Sequence, residues 1–427
     1  MTIELIMDLP ASGKTTVCLQ KIRQIKSDDP LASVQVLVPD SLQLQAFQKR
    51  LASPSGSIGI RVNTFAQFAR SILEKALSGK IIINPSLNRQ IVCEAIRHIQ
   101  AKGKLNYYCD VWNTAGFSKV VTKAFSDFEK NCISADQMKA IVQTQQEIEI
   151  NLIFEEYQIF LSDHGWVSPS GVIQAAAEII KKKPDHLDPF RLLIIDGFDN
   201  FDQDQLWLIR NLEPITDEIY LTLPGSLQAE EKERLVNRRF SRSLEQIQKV
   251  LNIQIAENTV KSAIHLPGIL RYIVENIFKQ QPVNWIETNP SDEKSLILLE
   301  AGTQEDEVRE VLRQMKSWII RDAIPIASCA IFAPQLDVYA PALRRISEEM
   351  QIPLNFGRKE SLIESPVVIT LFSLLRLQPE GLKTNNLMNC LRFPYISSGL
   401  TPEQVNWLDF ISRQLSITGG SEQWEEA

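Results

Sequence analysis

Apolar and polar positions alternate in two registers along this chain, and the switches between them delimit its elements. Residues 3–7 (Ile3-Glu4-Leu5-Ile6-Met7) form an apolar run that gives way to a turn-like stretch and then to helical spacing. Val34-Gln35-Val36-Leu37-Val38-Pro39 reads as a buried strand stopped by proline, and a helix is predicted over residues 41–51. Residues 58–62 predict another short strand, and Thr64-Phe65 opens the next helix. From residue 87 to residue 161 nearly every signal is helical. The longest element there is an amphipathic helix over residues 141–161, ended by Asp163-His164-Gly165. Strand patterning returns at residues 191–196 and 218–224.

A second alternation begins farther on. Residues 295–299 predict a strand, 305–321 a helix, 329–333 a strand, 339–350 a helix, 352–356 a short strand and 367–377 an apolar helix. From residue 383 onward only helices are indicated, and no internal repeat or low-complexity tract is found. Strands alternating with helices imply parallel pairing and an α/β class. The organisation expected is one α/β domain formed by residues 1–85 and 169–228, interrupted by a helical insertion over 86–168. A linker over 229–292 then leads to a second α/β region at 293–378, and 379–427 begin a second helical insertion.

Composition narrows the class. A chain of 427 residues is too long for one core. Its 44% hydrophobic and 23% charged residues are ordinary for a globular protein. No apolar stretch reaches membrane-spanning length, so no membrane partner is expected. The six cysteines, Cys18, Cys93, Cys109, Cys132, Cys329 and Cys390, lie far apart with no CxxC pair. They read as core residues of a reduced, cytoplasmic compartment. A net charge of −7 argues against a protein that coats nucleic acid, although a local groove can still be basic. The run Arg238-Arg239-Phe240-Ser241-Arg242, inside a polar stretch over 228–242, reads either as a phosphate contact or as a solvated helix face.

Two stretches carry chemistry. The first is Asp8-Leu9-Pro10-Ala11-Ser12-Gly13-Lys14-Thr15-Thr16, strand then loop then helix, in the manner of a phosphate-binding loop whose first glycine is replaced by Asp8. Gly13 lets the backbone approach a phosphate, Lys14 offers a point charge and Thr15 a hydroxyl to Mg²⁺. Ser12, Gly13, Lys14, Thr15 and Thr16 are the candidate ATP-binding set. Asp8 puts a negative charge where a polyphosphate would sit. The second stretch is Leu193-Ile194-Ile195-Asp196-Gly197-Phe198-Asp199-Asn200-Phe201. It sets a carboxylate at the end of a buried strand, where open parallel sheets build ligand sites. Asp196 is the candidate Mg²⁺ residue beside Thr15. The next position, where an active motor carries a glutamate, is Gly197. Asp199 reads as a turn residue or as a substitute base.

These residues together resemble the B subunit of AddAB/RexAB-type helicase–nucleases, an inactivated superfamily 1 helicase fold. The resemblance rests on the SGKT loop, Val36-Leu37-Val38-Pro39-Asp40-Ser41, Val62-Asn63-Thr64-Phe65 and the DGFDNF segment followed by Gln205. Ala330-Ile331-Phe332-Ala333-Pro334, Ile352-Pro353-Leu354-Asn355-Phe356 and Glu364-Ser365-Pro366-Val367 extend it into the second half. It implies two RecA-like P-loop domains with helical insertions, and single-stranded DNA touched by Pro39, Ser41, Thr64 and Phe65. It also implies an AddA-type partner subunit with an active motor, and a nuclease domain farther downstream. Phe65 is either a base-stacking residue or a core residue at a helix start. The family's second-domain arginine falls at Pro334, with Arg344 and Arg345 one helix later. Two further readings are a working ATP-dependent helicase and a small-molecule kinase built on the same loop.

Overall fold

The computed structural model describes residues 3–8, 11–52, 58–76, 79–225, 235–251, 253–255, 268–276, 295–356, 362, 365–394 and 396–426. The chain opens with β1 (Ile3–Asp8), α1 (Lys14–Asp28), β2 (Val34–Val38), α2 (Ser41–Leu51), β3 (Ile60–Thr64) and α3 (Phe65–Lys75). An excursion follows through β4 (Ile81–Ile82), α4 (Pro85–Ala101), α5 (Ala115–Lys130), α6 (Ala135–Lys139), α7 (Gln145–Asp163) and β5 (Trp166–Val167). The chain then returns through α8 (Val172–Lys182), β6 (Phe190–Ile195), α9 (Gln203–Leu212), β7 (Thr216–Pro224), α10 (Leu235–Val250), β8 (Ile253–Ile255) and α11 (Gly268–Asn276).

Six of these strands form one sheet in the order β3-β2-β6-β7-β1-β8, and every pairing is parallel. Such a sheet needs apolar residues on both faces, and β6 supplies them in alternation. Leu192 and Ile194 pack with Val34, Val36, Cys18 and Ile22 beneath α1 and α2. Leu193 and Ile195 pack with Leu37, Phe68, Ala176 and Leu206 beneath α3, α8 and α9. Each fully buried aliphatic side chain contributes about 1.5–3 kcal/mol. β7 separates β1 from β6, with Leu5 level with Leu221 and Ile195 also level with Leu221. The carboxyl ends of β1 and β6 therefore open side by side, one strand apart.

The excursion has its own core, formed by Val92, Ile96, Val121, Phe125, Phe154 and Tyr157. Its neck is the two-stranded pairing of β4 with β5. Helix α7 starts at Gln145 rather than at 141. Thr144 caps the Glu147 amide while the Glu147 side chain accepts from the Thr144 amide, and this reciprocal cap fixes the start. Glu149 is fully buried, yet it accepts three backbone amides, those of Asn106, Tyr107 and Tyr108, and so ties the loop after α4 to α7.

Residues 299–427 form a second compact unit. It holds α12 (Gln304–Arg321), α13 (Leu336–Met350), α14 (Pro366–Leu377), α15 (Thr384–Arg392), α16 (Pro402–Gln414) and α17 (Ser421–Glu426). The strands predicted at 295–299, 329–333 and 352–356 are extended segments without ladder partners among the described residues. The alternation itself is present: Cys329 and Ile331 turn toward the α12–α13 core while Phe332 is 93% exposed. Sequence pattern encodes which face a side chain takes, whereas a strand also requires a neighbour in register. A parallel sheet in this second unit is thus absent among the described residues. Residues 226–234 and Glu364 lie outside the described residues, as do the side chains of Arg238 and Arg239; Arg242 lies on α10. No helix among the described residues is long and apolar enough to cross a membrane.

Candidate functional site

The loop between β1 and α1 turns through left-handed backbone at Ala11 (φ 60°) and Gly13 (φ 98°), and α1 begins immediately afterwards. Gly13 suits this conformation because it has no Cβ. Lys14 Nζ donates to the backbone carbonyl of Asp8 at 2.8 Å and lies 3.4 Å from Ser12 Oγ. Burial lowers the lysine's pKa, while the negative charges of Asp8 and Asp196 oppose that shift. The lysine expected to reach a polyphosphate is thus engaged by its own loop. Ser12 is buried, and Thr16 begins the first turn with its amide on the Gly13 carbonyl at 2.8 Å.

Across the sheet, Thr15 Oγ1 donates to Asp196 Oδ2 at 2.8 Å and Thr222 Oγ1 donates to Asp196 Oδ1 at 2.7 Å. Asp196 is only 5% exposed. Its two oxygens are therefore held by one hydroxyl from the first turn of α1 and one from the intervening strand. The Gly197 amide continues the chain by donating to Thr222 Oγ1 at 3.2 Å. Thr222 is a site residue that sequence reasoning misses. Its only signal is a single hydroxyl in the otherwise apolar end of a buried strand. Thr15 and Asp196 thus bring a hydroxyl and a carboxylate together, oxygen donors of the kind that divalent cations take.

Gly197 has φ 85°, and a Cβ built there meets the Gln43 side-chain oxygen at clashing distance and Pro39 Cδ at 3.5 Å. The turn after the carboxylate strand thus lies close to Pro39 and the first turn of α2, with no room for a side chain unless Gln43 moves. In that loop Asp40 caps α2, accepting from the Leu42 and Gln43 amides at 2.8 Å, so Ser41 sits exposed at the first helical position. Thr64 caps α3 with Gln67 returning the bond. Phe65 takes the core role of the two open to it. Its ring is 3% exposed and stands edge-on to Phe198 at 5.2 Å, and Phe198 stacks on Phe201 at 5.1 Å. Asp199 is exposed, and its carbonyl accepts from Ser243 at 2.9 Å.

In the second unit Pro334 is exposed and offers no donor. Arg345 pairs with Glu305 and Glu349, and the Arg344 guanidinium lies 4.9 Å from the Phe356 ring centre. Both arginines are committed within their own unit.

A family model described as "ADDB, N-terminal" matches residues 6–278, which include the loop, α2, α3 and the Asp196 strand. A Bacillus licheniformis protein, named as the B subunit of an ATP-dependent helicase/deoxyribonuclease, is 20% identical over 407 residues, covering 89% of this chain and 34% of that protein. A Natranaerobius thermophilus protein of the same name is 21% identical over 396 residues, covering 86% of this chain and 33% of that protein. One from Clostridium novyi is 19% identical over 452 aligned positions, covering 100% of this chain and 38% of that protein. The chain therefore spans about a third of the length of these relatives. The family match extends over more than half of the chain, and the chain accordingly belongs to the AddB family, in its amino-terminal region.

Proposed function

We propose that this chain is a helicase-like, non-motor subunit of a cytoplasmic helicase–nuclease complex for DNA double-strand-break repair and recombination. In this reading it binds single-stranded DNA at the segments carrying Pro39, Ser41 and Thr64, with Phe65 packed beneath them, beside an AddA-type partner that supplies the motor. The observation that carries it is the bond from Lys14 Nζ to the Asp8 carbonyl, with the Asp8 charge close by. A phosphate must displace that bond and tolerate that charge, so Mg-nucleotide binding at Ser12, Gly13, Lys14, Thr15 and Thr16 is weak. Mg²⁺, when bound, would neutralise phosphate charge at Thr15 and Asp196.

Hydrolysis lacks two further parts. Gly197 orients no water, and Pro334 donates nothing to a developing phosphate charge. Each such loss costs about 10²–10⁴-fold in comparable phosphoryl-transfer sites. The intact Thr15–Asp196 hydrogen bond favours the second reading, a working ATPase. Steady-state ATP turnover with and without single-stranded DNA separates the two. The expected result is no DNA-stimulated turnover above about one per minute, against roughly 10 per second for typical enzymes. Robust stimulated turnover, lost in Lys14→Ala, would make the motor reading the correct one.

A further inference from the structure

The helical excursion carries a cleft of about 230 Å³ between α4 and the start of α5, away from the phosphate loop in the sequence. Arg89 and Arg97 line it two turns apart on one face of α4, with Cys93 between them. Trp112, Asn113 and Thr114 line the opposite side. Among the described residues no carboxylate lines the cleft, in a chain whose Asp and Glu (52) outnumber its Lys and Arg (45).

Each group has a definite chemistry. The Arg89 guanidinium donates one bond to the Ala115 carbonyl at 3.2 Å, which aims it across the cleft and leaves other N–H groups available. Arg97 keeps an exposed pairing with Glu94 at 3.3 Å, of the weak, solvent-screened kind that a phosphate readily replaces. Thr114 caps the Phe117 amide at 3.2 Å, so the positive end of a 16-residue helix faces the same space. Trp112 is half-buried against the core of the excursion, so its indole is fixed in place. Guanidinium groups and helix amides select a phosphate, whereas a fixed indole selects a flat ring.

We infer that this cleft binds one nucleotide unit, a phosphate joined to a planar base, through Arg89, Arg97 and Trp112. The unit comes from a DNA strand or from a free nucleotide. In the first case the inference rests on the DNA-binding reading above and adds a contact on the helical excursion.

The test uses the whole chain, a labelled oligothymidylate of about 20 nucleotides, and thymidine 5′-monophosphate. Cys93 lines the cleft, and the exposed Cys109 lies outside its lining and serves as the internal control. Saturating oligonucleotide should slow iodoacetamide alkylation of Cys93 at least about fivefold, leaving Cys109 unchanged. Arg89→Gln/Arg97→Gln should abolish that protection, weaken binding about tenfold and reduce the salt slope by about one to two. Both arginines are exposed, so an unchanged melting profile will attest that the variant is folded. Protection by the oligonucleotide alone identifies a strand; equal protection by the monophosphate identifies a free nucleotide. If Cys93 stays unprotected while the oligonucleotide binds by anisotropy, the cleft inference fails and the DNA reading stands. If the oligonucleotide does not bind but the monophosphate protects Cys93, the DNA reading fails and the cleft remains a nucleotide site. Unchanged alkylation with both ligands overturns the inference.

Discussion

Thr15 and Asp196, separated by 181 positions in the sequence, are joined by a 2.8 Å hydrogen bond between a hydroxyl in the first turn of α1 and the carboxylate that follows β6. Both belong to the candidate Mg²⁺ pair, and Thr222 holds the second carboxylate oxygen from the strand between them. Asp196→Asn keeps the volume and an acceptor but removes the charge a divalent cation needs. Calorimetric titration with ADP should then give the same weak affinity with and without Mg²⁺, whereas the unmodified chain should show a Mg²⁺-dependent gain. Equal Mg²⁺ dependence in both proteins would place the cation elsewhere.

The Asp8 charge is the second lever. Asp8→Asn retains the backbone carbonyl that accepts from Lys14 and removes only the carboxylate charge. If that charge faces the phosphates, ATP should bind more tightly by on the order of 1 kcal/mol, about fivefold. Lys14→Ala should abolish binding, because the attraction between ammonium and polyphosphate is gone. An unchanged affinity in Asp8→Asn would mean that the carboxylate points away from the nucleotide.

Phe65 tests the division between core and DNA contact. Its burial against Phe198 predicts a loss of about 3–5 kcal/mol for Phe65→Ala, read from chemical denaturation. Phe65→Leu should fold and keep oligonucleotide affinity within about twofold. A loss of affinity in the folded Leu variant with no change in stability would return Phe65 to the stacking role.

Legibility in the sequence follows the range of the interaction. The runs at residues 34–38 and 191–196 are apolar on both faces, so they can only be central strands, and β2 and β6 occupy those places. The Thr64 and Asp40 caps depend on residues two or three positions away, and such local chemistry is readable. The extended segments of the second unit carry strand patterning without forming a sheet, because a ladder depends on a neighbour that pattern does not name. Thr222 escapes for the same reason: its partner, Asp196, lies on another strand. Gly197 reads as a missing glutamate, but its positive φ and its contact with Gln43 are tertiary facts.

Stability should depend on pH through two carboxyls in the seam between the excursion and the α/β core. Burial pushes Glu129 up to about 7, against hydrogen bonds from Ser168, Tyr157 and Ser170. Burial also pushes Asp204 up to about 7, with Asp202 adding repulsion and Lys130 opposing it. Each has one buried oxygen without a partner among the described residues, Glu129 Oε2 and Asp204 Oδ2. The folded pKa of each exceeds the unfolded one, so the native state binds more protons between about pH 4 and pH 7. Their contribution is intact below the ordinary carboxyl range and is lost as pH rises through about 7, on the order of 3 kcal/mol apiece. Glu156 works in the opposite direction: although partly buried, it is held low by Lys102 and His98 and loses its contribution in acid. Glu129→Gln should flatten the decline between about pH 4 and pH 7 and stabilise the chain at the upper end. An unaltered slope in denaturant titrations would show that Glu129 ionises freely.

Gly197→Glu is the most discriminating change, because it restores a group an active motor uses at a position that resists it. The backbone at φ 85° disfavours any L side chain, at about 1–2 kcal/mol. The new Cβ also meets the Gln43 side-chain oxygen and lies 3.5 Å from Pro39 Cδ. The Gln43 amide is the flexible end of a side chain and can swing aside, and Pro39 lies at an ordinary van der Waals distance, so the backbone conformation carries most of the cost. The variant should therefore fold with stability lower by roughly 1–3 kcal/mol. ATP turnover should stay at the level of the unmodified chain, since Lys14 is still held by the Asp8 carbonyl and the proposed arginine position, Pro334, still has no donor. The companion variant Gly197→Glu/Gln43→Ala removes the contact while keeping the new carboxylate. If this double variant recovers the part of the stability lost to the Gln43 contact yet remains inactive, that contact is not what silences the site. DNA-stimulated turnover appearing in either variant would show that a single glutamate suffices and that the chain retains a working phosphate site.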